Sequence, residues 1–333
     1  MESKSPKALD ERVSFLQVFA ILLVVIGHSF YRHEENPVFE WIYSFHMPLF
    51  FFISGCLLNN SVLRSGKPLG EYFTAKRLLQ KAKRLLLPYW LISSLVFLPK
   101  SLLGGFAGRP VDLSLSGYAY MMQHPLENVI SIFWFLPTLF LVFCIAFVGG
   151  KLALWNRSRY ANEAAVLVTL PLVFYFPRYS TEFLNYPGVL AFVFYFALGY
   201  WFRGQSLFSV WNSGTGFRWQ SAFAAVACMS FYALSPDWQS PFFAVAGIVM
   251  SLGLADIYCC SGVRFFRPFY GSTYTIYLFS WFFQVASQQV FLSVTGLPWG
   301  YGSALAMVSG FLGPFAIFKG YGALSTKWRS RRA

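Results

Sequence analysis

Two histidines stand inside otherwise apolar runs near the start of the chain, and they are the first candidates for chemistry. His28 lies close to the end of the run FLQVFAILLVVIGHSF, and His46 lies in SFHMPLFFFISG. An ionisable side chain within an apolar segment is unfavourable, so by default it marks a functional position. A desolvated imidazole is neutral and accepts a proton from a hydroxyl, which is the role of a general base. We therefore predict that His28 is a general base.

Each histidine also has a structural interpretation, in which a neighbouring hydroxyl or carbonyl satisfies the ring. For His28 the apolar surroundings favour function, and Gly27 leaves room for a substrate or a neighbouring helix. For His46 both interpretations stay open. Pro48 is expected to loosen the local helix and to free a carbonyl to which this imidazole could bond.

A basic stretch, KRLLQKAKR, is the next candidate. Clustered cations suit a phosphate-bearing ligand, because arginine makes bidentate contacts to phosphate oxygens. Phosphates of a nucleotide-like cofactor and anionic lipid headgroups are both open as ligands, and cytoplasmic loops are commonly basic in any case. The predicted ligand-binding residues are Lys76, Arg77, Lys81, Lys83, Arg84 and the nearby Tyr89.

Composition indicates which kind of element positions these residues. Of the 333 residues, 56% are hydrophobic, 21% are aromatic and only 12% are charged, and the mean hydropathy is +0.52. This balance is typical of a multi-pass membrane protein. The net charge of +13 does not indicate a nucleic-acid partner, because the cations lie between hydrophobic runs.

The apolar runs predict an all-α bundle of about ten transmembrane helices. We expect one membrane domain over residues 1–333, with a tail from about residue 320, and no removable signal peptide at the N-terminus. Two of the spans are short. The predicted spans are 13–31, 38–58, 85–103, 131–150, 162–176, 188–202, 219–234, 241–258, 271–291 and 301–319.

The distribution of lysine and arginine predicts the orientation. With both termini in the cytoplasm, nearly all of the 26 cations face inward, as the positive-inside rule requires. The exceptions are Arg32, Lys100, Arg109 and Arg178. This orientation places His28 and His46 towards the outer side and the basic stretch on the cytoplasmic face. Asp256 is expected near the inner end of a span, facing headgroups.

Several soluble-enzyme signatures are missing from the sequence. It has no Gly-rich phosphate loop, GxSxG elbow, HExxH pair or Cys/His array, each of which carries a specific chemistry. We therefore predict no metal site, and the missing motifs argue against a soluble nucleotide-dependent or metal-dependent enzyme.

The chain resembles the acyltransferase type 3 family of integral-membrane enzymes, and in particular fucose O-acetylases and exopolysaccharide acetyltransferases. The resemblance covers nearly the whole chain. The matching motifs are AILLVVIGHS, FHMPLFFFISG, KAKRLLLPYW, WFLPTLF, FALGY and GSTYTIYLFS.

The resemblance implies transfer of an acyl group, usually acetyl from cytoplasmic acetyl-CoA, to a hydroxyl of a lipid-linked or nascent glycan. His28 matches the family's essential histidine, and Lys81, Lys83 and Arg84 match its donor-binding basic motif. Gln17 lies eleven residues before His28, on the same helical face about 16 Å away. The family usually has a basic residue there, so we take Gln17 as a donor contact.

The expected mechanism has CoA phosphates near the basic stretch and neutral His28 deprotonating the acceptor hydroxyl, directly or with an acyl-enzyme relay. His46 and Ser29 are expected to orient the base or to bind the developing oxyanion. The predicted acceptor-binding residues are Glu40, Trp134 and Glu127. We expect a multi-pass protein of the bacterial inner membrane, in contact with its lipids. The alternative is a transporter or flippase of a lipid-linked glycan, without bond chemistry.

Overall fold

A computed structural model describes the chain over most of its length. The described residues are 6–30, 37–102, 114–152, 159–205, 208, 211, 220–221, 224–229, 237, 239–294 and 299–330. All of their regular elements are helices, with no strand among them. The predicted all-α class is therefore confirmed for this part of the chain.

Twelve α-helices have both of their bounds in the described residues, and residues 224–229 are helical as well. The first six are α1 (Pro6–Ser29), α2 (Pro37–Ser65), α3 (Leu69–Tyr72), α4 (Ala75–Leu102), α5 (Leu115–Gln123) and α6 (Phe135–Lys151). The others are α7 (Arg159–Thr169), α8 (Leu172–Tyr175), α9 (Tyr186–Gly204), α10 (Pro241–Cys260), α11 (Thr273–Val294) and α12 (Trp299–Ser330). Short 3₁₀ turns occupy Pro125–Glu127, Ser131–Trp134, Phe183–Asn185 and Arg267–Phe269.

Six stretches of helix in the described residues are long and apolar enough to cross a membrane: Glu11–Ser29, Pro37–Ser65, Ser131–Lys151, Phe183–Gly204, Pro241–Cys260 and Gly300–Gly322. They correspond to six of the predicted spans. A lipid interior offers no water to backbone groups, so such apolar segments satisfy those groups as helices. The chain is therefore a multi-pass membrane protein.

The remaining predicted spans divide into three cases. Spans 85–103 and 271–291 fall on the long helices α4 and α11, and 162–176 falls on the shorter pair α7 and α8. Half of span 219–234 lies outside the described residues, as does part of the loop before Ser114. The count of about ten and the cytoplasmic termini stay predictions.

The chain divides into two compact units. The first contains residues 1–50 and 210–333, and the second contains residues 51–209. The long helix α2 supplies residues to both. In the first unit, a buried cluster of Leu23, Ile42, Phe45 and Met250 joins α1, α2 and α10. This cluster fixes the two helix segments that carry the histidines.

Small residues allow close helix packing in the second unit. A side chain on Gly199 of α9 would collide with the backbone of Phe52 in α2. The thiol of Cys56 donates to the Gly199 carbonyl at 3.2 Å, and the amide of Asn59 donates to the Tyr200 carbonyl at 2.6 Å. Small residues combined with interhelical hydrogen bonds are a usual packing device in membranes.

Candidate active site

His28 lies in the last turn of α1, half-buried, beside the ring of Tyr43 from α2. The Tyr43 hydroxyl is 3.3 Å from Nδ1 and 3.3 Å from Nε2 of the imidazole. Which of the two nitrogens bonds to the hydroxyl depends on the tautomer. A neutral imidazole in this position has a phenol within reach and a face that is partly open, as a general base requires.

Gly27 creates the space for this contact. A methyl group on Gly27 would lie 2.9 Å from Cε2 of Tyr43, which is too close for the ring to keep its place. On its other side, Tyr43 packs against Phe39 with ring centroids 3.9 Å apart. The neighbouring helix, through Tyr43, therefore fills the room that Gly27 was predicted to leave.

His46 is buried one turn along α2 and makes a local hydrogen bond. Its Nδ1 lies 2.8 Å from the carbonyl of Ile42, so Nδ1 donates and Nε2 is the acceptor in a neutral ring. Its ring meets that of Tyr43 edge to face, with centroids 4.6 Å apart. The carbonyl bond supports the structural interpretation of His46, and the contact with Tyr43 places this ring in the second layer around His28.

Ser29 is fully buried and takes part in a network with α11. Its hydroxyl donates to the Val25 carbonyl at 2.6 Å. The Gln284 amide donates to the same carbonyl at 2.7 Å and to the Ser29 hydroxyl at 2.9 Å. The Gln288 amide donates to the Ser29 carbonyl at 3.2 Å. Two glutamines, one helical turn apart, thus bind the end of α1 next to His28.

An ion pair holds the other part of α1. A guanidinium nitrogen of Arg12 lies 2.8 Å from Oδ1 of Asp256 in α10, and the Asp256 side chain is 0% exposed. The guanidinium also lies over the ring of Trp211, 5.8 Å from its centroid. The expectation that Asp256 faces headgroups is therefore wrong, because Arg12 compensates its charge inside the protein.

Gln17 and Glu40 occupy the same unit as His28. Gln17 is half-buried in α1, on the helical face of His28, as its spacing predicts. Glu40 is half-buried in the first turn of α2, one turn before Tyr43. The structure thus places Glu40 on the helix that contacts His28, whereas Gln17 lies several turns away along α1.

The basic stretch forms the first turns of α4, in the second unit. Lys76, Arg77, Lys83 and Arg84 are exposed. The Arg77 guanidinium lies over the ring of Tyr72, 3.6 Å from its centroid. Such a contact fixes a cation without neutralising it, so its charge stays available to an anionic ligand.

Lys81 differs from the other cations of this stretch because it is partly buried. Its ammonium lies 4.3 Å from the ring centroid of Phe143 in α6. Burial lowers the pKa of Lys81 to about 8, and the nearby charge of Arg84 also lowers it. Partial burial beside a ring favours a ligand that brings negative charge, such as phosphate.

The three other predicted contact residues of the second unit have different surroundings. The Tyr89 hydroxyl is 3.1 Å from the Met122 carbonyl. Trp134 is buried, with its ring 5.2 Å from that of Tyr179 and 5.6 Å from that of Phe192. Glu127 is exposed in a 3₁₀ turn. Of these three, only Glu127 presents its polar group at the surface.

The structure brings His28, His46, Ser29 and Glu40 into one unit and places the basic stretch in the other. Sequence reasoning missed Tyr43, Gln284 and Gln288. The two glutamines interrupt the apolar run of α11, and polar side chains in such runs are a recognisable signal. Tyr43 carried no such signal, because tyrosine is common in membrane helices. Among the described residues, no group of three or more His, Cys, Asp or Glu could hold a metal ion.

Comparison with known proteins identifies a family to which the chain is similar over most of its length. The family described as "Acyltransferase domain" matches residues 10–319. The chain is 25% identical to the nodulation protein NolL of Sinorhizobium fredii, over 72% of this chain and 61% of that protein. It is 30% identical to NolL of Mesorhizobium japonicum, over 53% of this chain and 47% of that protein. It therefore spans only about half to three fifths of these relatives. No solved structure matches the chain.

Proposed function

We propose that this chain, which belongs to the acyltransferase family over residues 10–319, is a membrane O-acyltransferase that uses His28 as its general base. The family gives acyl transfer as the reaction class, and the six apolar helices give the membrane setting. The observation that carries the role of His28 is its contact with the Tyr43 hydroxyl, 3.3 Å from both ring nitrogens.

In the proposed reaction, a neutral His28 accepts the proton of an acceptor hydroxyl as its oxygen attacks the thioester carbonyl of an acyl-CoA. The new C–O bond forms and the C–S bond breaks. The proton then passes from the imidazole to the departing thiolate, which leaves as the CoA thiol. General-base assistance of this kind contributes about 10²- to 10⁴-fold to a rate. Direct transfer and an acyl-enzyme relay both fit this proton balance.

Tyr43 orients the imidazole in this proposal. Its hydroxyl lies 3.3 Å from each ring nitrogen, and its ring contacts those of Phe39 and His46. A phenol held in this way limits the rotation of the His28 ring, and orientation of the base is a large part of its effect. His46 and Ser29 remain proposed orienting or oxyanion-binding groups.

For the donor, we propose that the basic stretch of α4 binds the phosphates of acetyl-CoA. The exposed cations and the partly buried Lys81 suit phosphate oxygens, and the aromatic contacts of Arg77 and Lys81 preorganise two of the charges. Gln17 and Tyr89 remain proposed donor contacts.

For the acceptor, we propose a hydroxyl of a cell-surface or lipid-linked glycan, with Glu40, Glu127 and Trp134 as contacts. Carboxylates accept hydrogen bonds from sugar hydroxyls, and an indole ring offers an apolar face. We further propose that the protein lies in the bacterial inner membrane, with both termini in the cytoplasm. The positive-inside pattern of the sequence supports this orientation.

A transporter or flippase of a lipid-linked glycan is the competing function. It would use intramembrane polar residues without forming or breaking bonds. The membership in an acyltransferase family favours bond chemistry.

The test compares wild type with His28→Ala in membranes supplied with acetyl-CoA carrying a labelled acetyl group. Mass spectrometry of the surface glycan should show the acetyl increment with wild type and lose it with His28→Ala. His124→Ala, which alters a histidine stacked on Tyr120 in the second unit, should keep it. An active His28→Ala protein would overturn the role of His28. Lost glycan export with unchanged acetylation would favour the transporter.

A further inference from the structure

The end of α1 is held by two amide side chains from α11. Gln284 is 2% exposed, and its amide nitrogen lies 2.7 Å from the Val25 carbonyl and 2.9 Å from the Ser29 hydroxyl. One turn later, the Gln288 amide reaches the Ser29 carbonyl at 3.2 Å. We name this arrangement the glutamine clamp: Gln284 and Gln288 on α11 with Val25 and Ser29 on α1.

The glutamine clamp supplies a hydrogen bond to a backbone carbonyl that has no partner within the end of the helix. The last four carbonyls of an α-helix have no partner within the helix, and the final turn frays readily. The Ser29 carbonyl belongs to this set. The Gln284 amide nitrogen lies within hydrogen-bond distance of both the Val25 carbonyl and the Ser29 hydroxyl. In apolar surroundings, loss of these hydrogen bonds costs free energy. The clamp therefore keeps the last turn of α1 helical.

His28 lies in this last turn, between the two clamped residues. Its ring is in contact with Tyr43 of α2, while its backbone belongs to the turn that α11 holds. The position of the imidazole therefore depends on two helices, through a ring contact and through the clamp.

Gly310 of α12 supports the clamp from behind. A methyl group on Gly310 would lie 2.6 Å from Cγ and 3.1 Å from Cδ of Gln284. A side chain at this position would therefore push the Gln284 amide from its place. The nearby Gly313 also faces α11, but a side chain there would meet the ring of Phe283. Substitution of Gly310 therefore perturbs the clamp. Substitution of Gly313 perturbs the same pair of helices at Phe283 and serves as the matched control.

We propose that Gln284 and Gln288 are positioning residues, which fix the last turn of α1 so that His28 meets its reacting groups in the correct geometry. This inference rests on the proposed function of His28. It assigns to α11 and α12 a role in the reaction, acting through α1 and not by contact with a substrate.

The kinetic test uses Gln284→Met and Gln288→Met, which keep side-chain length and remove the amides. Each should lower kcat about ten- to hundredfold, because small displacements of a catalytic group reduce rates on this scale. KM for acetyl-CoA and for the acceptor should stay unchanged, since the clamp touches neither. Gln288→Lys keeps a donor for the Ser29 carbonyl and should recover most of the rate. Gly310→Ala should resemble Gln284→Met, and Gly313→Ala should keep the wild-type kcat.

A second measurement separates this inference from the proposed function. Hydrogen–deuterium exchange of the peptide that spans residues 25–30 reports on the last turn of α1 whether or not the enzyme turns over. Exchange should become faster in Gln284→Met and Gly310→Ala, and it should not change in Gly313→Ala.

The outcomes are distinct. If wild type shows no acyl transfer, or if His28→Ala is active, the proposed function fails while the exchange data still decide the clamp. If His28→Ala is inactive but the glutamine variants keep the full kcat per folded protein, the positioning role fails and the proposed function stands. Unchanged exchange in Gln284→Met, or equal rate loss in Gly313→Ala, would also overturn the inference.

Discussion

The ring of Tyr43 occupies the space that the missing side chain of Gly27 leaves beside His28. A methyl group on Gly27 would approach Cε2 of Tyr43 to 2.9 Å, and the same tyrosine places its hydroxyl 3.3 Å from both nitrogens of the imidazole. The glycine next to the histidine and the tyrosine on the following helix therefore form one arrangement.

This arrangement predicts coupled effects. Tyr43→Phe removes only the hydroxyl and should lower kcat about three- to tenfold, the equivalent of one hydrogen bond. Gly27→Ala displaces the ring and should cause a similar or larger loss. The double variant should lose less than the product of the single losses, because both act on one contact.

The measurement is kcat per folded protein in each variant. Tyr118→Phe is a suitable control, because it removes a hydroxyl bonded to Ser94 in the second unit. Fully independent losses in Gly27→Ala and Tyr43→Phe would contradict the shared arrangement.

The buried ion pair of α1 predicts a large effect on stability. Asp256→Asn removes the carboxylate charge 2.8 Å from the buried Arg12 guanidinium and should destabilise the fold by about 3–5 kcal/mol. Replacing both partners by apolar residues, as in Arg12→Met with Asp256→Leu, should recover much of that loss. Thermal unfolding in detergent measures both.

The exposed pair of Glu11 with Arg267, at 2.7 Å, provides the comparison. Glu11→Gln should change stability far less than Asp256→Asn, because solvent screens surface pairs. A loss in Glu11→Gln as large as that in Asp256→Asn would show that burial does not set the difference.

Lys81 predicts a pH dependence of donor binding. Burial lowers its pKa to about 8, with Arg84 as the second cause, so the ammonium loses its proton as the pH rises from 7 to 9. KM for acetyl-CoA should rise over this range as a phosphate-binding charge disappears. Lys81→Arg, which keeps its charge, should show no such rise. A flat profile in wild type would remove Lys81 from donor binding.

Titration of Lys81 also changes the stability of the folded protein. The folded pKa of Lys81 lies below its ordinary value, so the unfolded chain binds more protons between the two values. Stability should therefore increase as the pH rises through about 8 and above. The titration of Lys81 therefore does not weaken donor binding in that range by unfolding the protein.

Ser29 allows a test between two predicted roles. Its hydroxyl donates to the Val25 carbonyl and accepts from Gln284, so its donor is already used in the helix end. Ser29→Ala should lower kcat less than about tenfold. Removal of an oxyanion-binding donor lowers kcat about 10²- to 10³-fold, and a loss of that size would assign the oxyanion to Ser29.

Local patterns in the sequence predict the helices well. The apolar runs around His28 and His46 are continuous, and a membrane interior leaves such runs no alternative to the helix. The basic stretch before Tyr89 was equally visible, because charge clusters are local features. The side-chain partners were not visible in the same way. Gln284 lies 255 residues from Ser29, and no spacing rule connects helices so far apart.

Asp256 is a second residue whose partner could not be predicted from the sequence. Its position near a helix end suggested lipid headgroups, since sequence alone assigns a depth and not a partner. The cation that compensates it, Arg12, is 244 residues away. Tertiary packing decided the environment of this acid, whereas its helix was predictable from hydropathy.

The division of the chain has a consequence for biosynthesis. The unit that carries His28 combines residues 1–50 with residues 210–333, and α1 is held by Asp256, Gln284 and Gln288. Helix α1 is therefore made well before α10 and α11, which supply these contacts. Until α10 is inserted, nascent α1 carries the Arg12 charge without Asp256, its counter-ion in the folded protein.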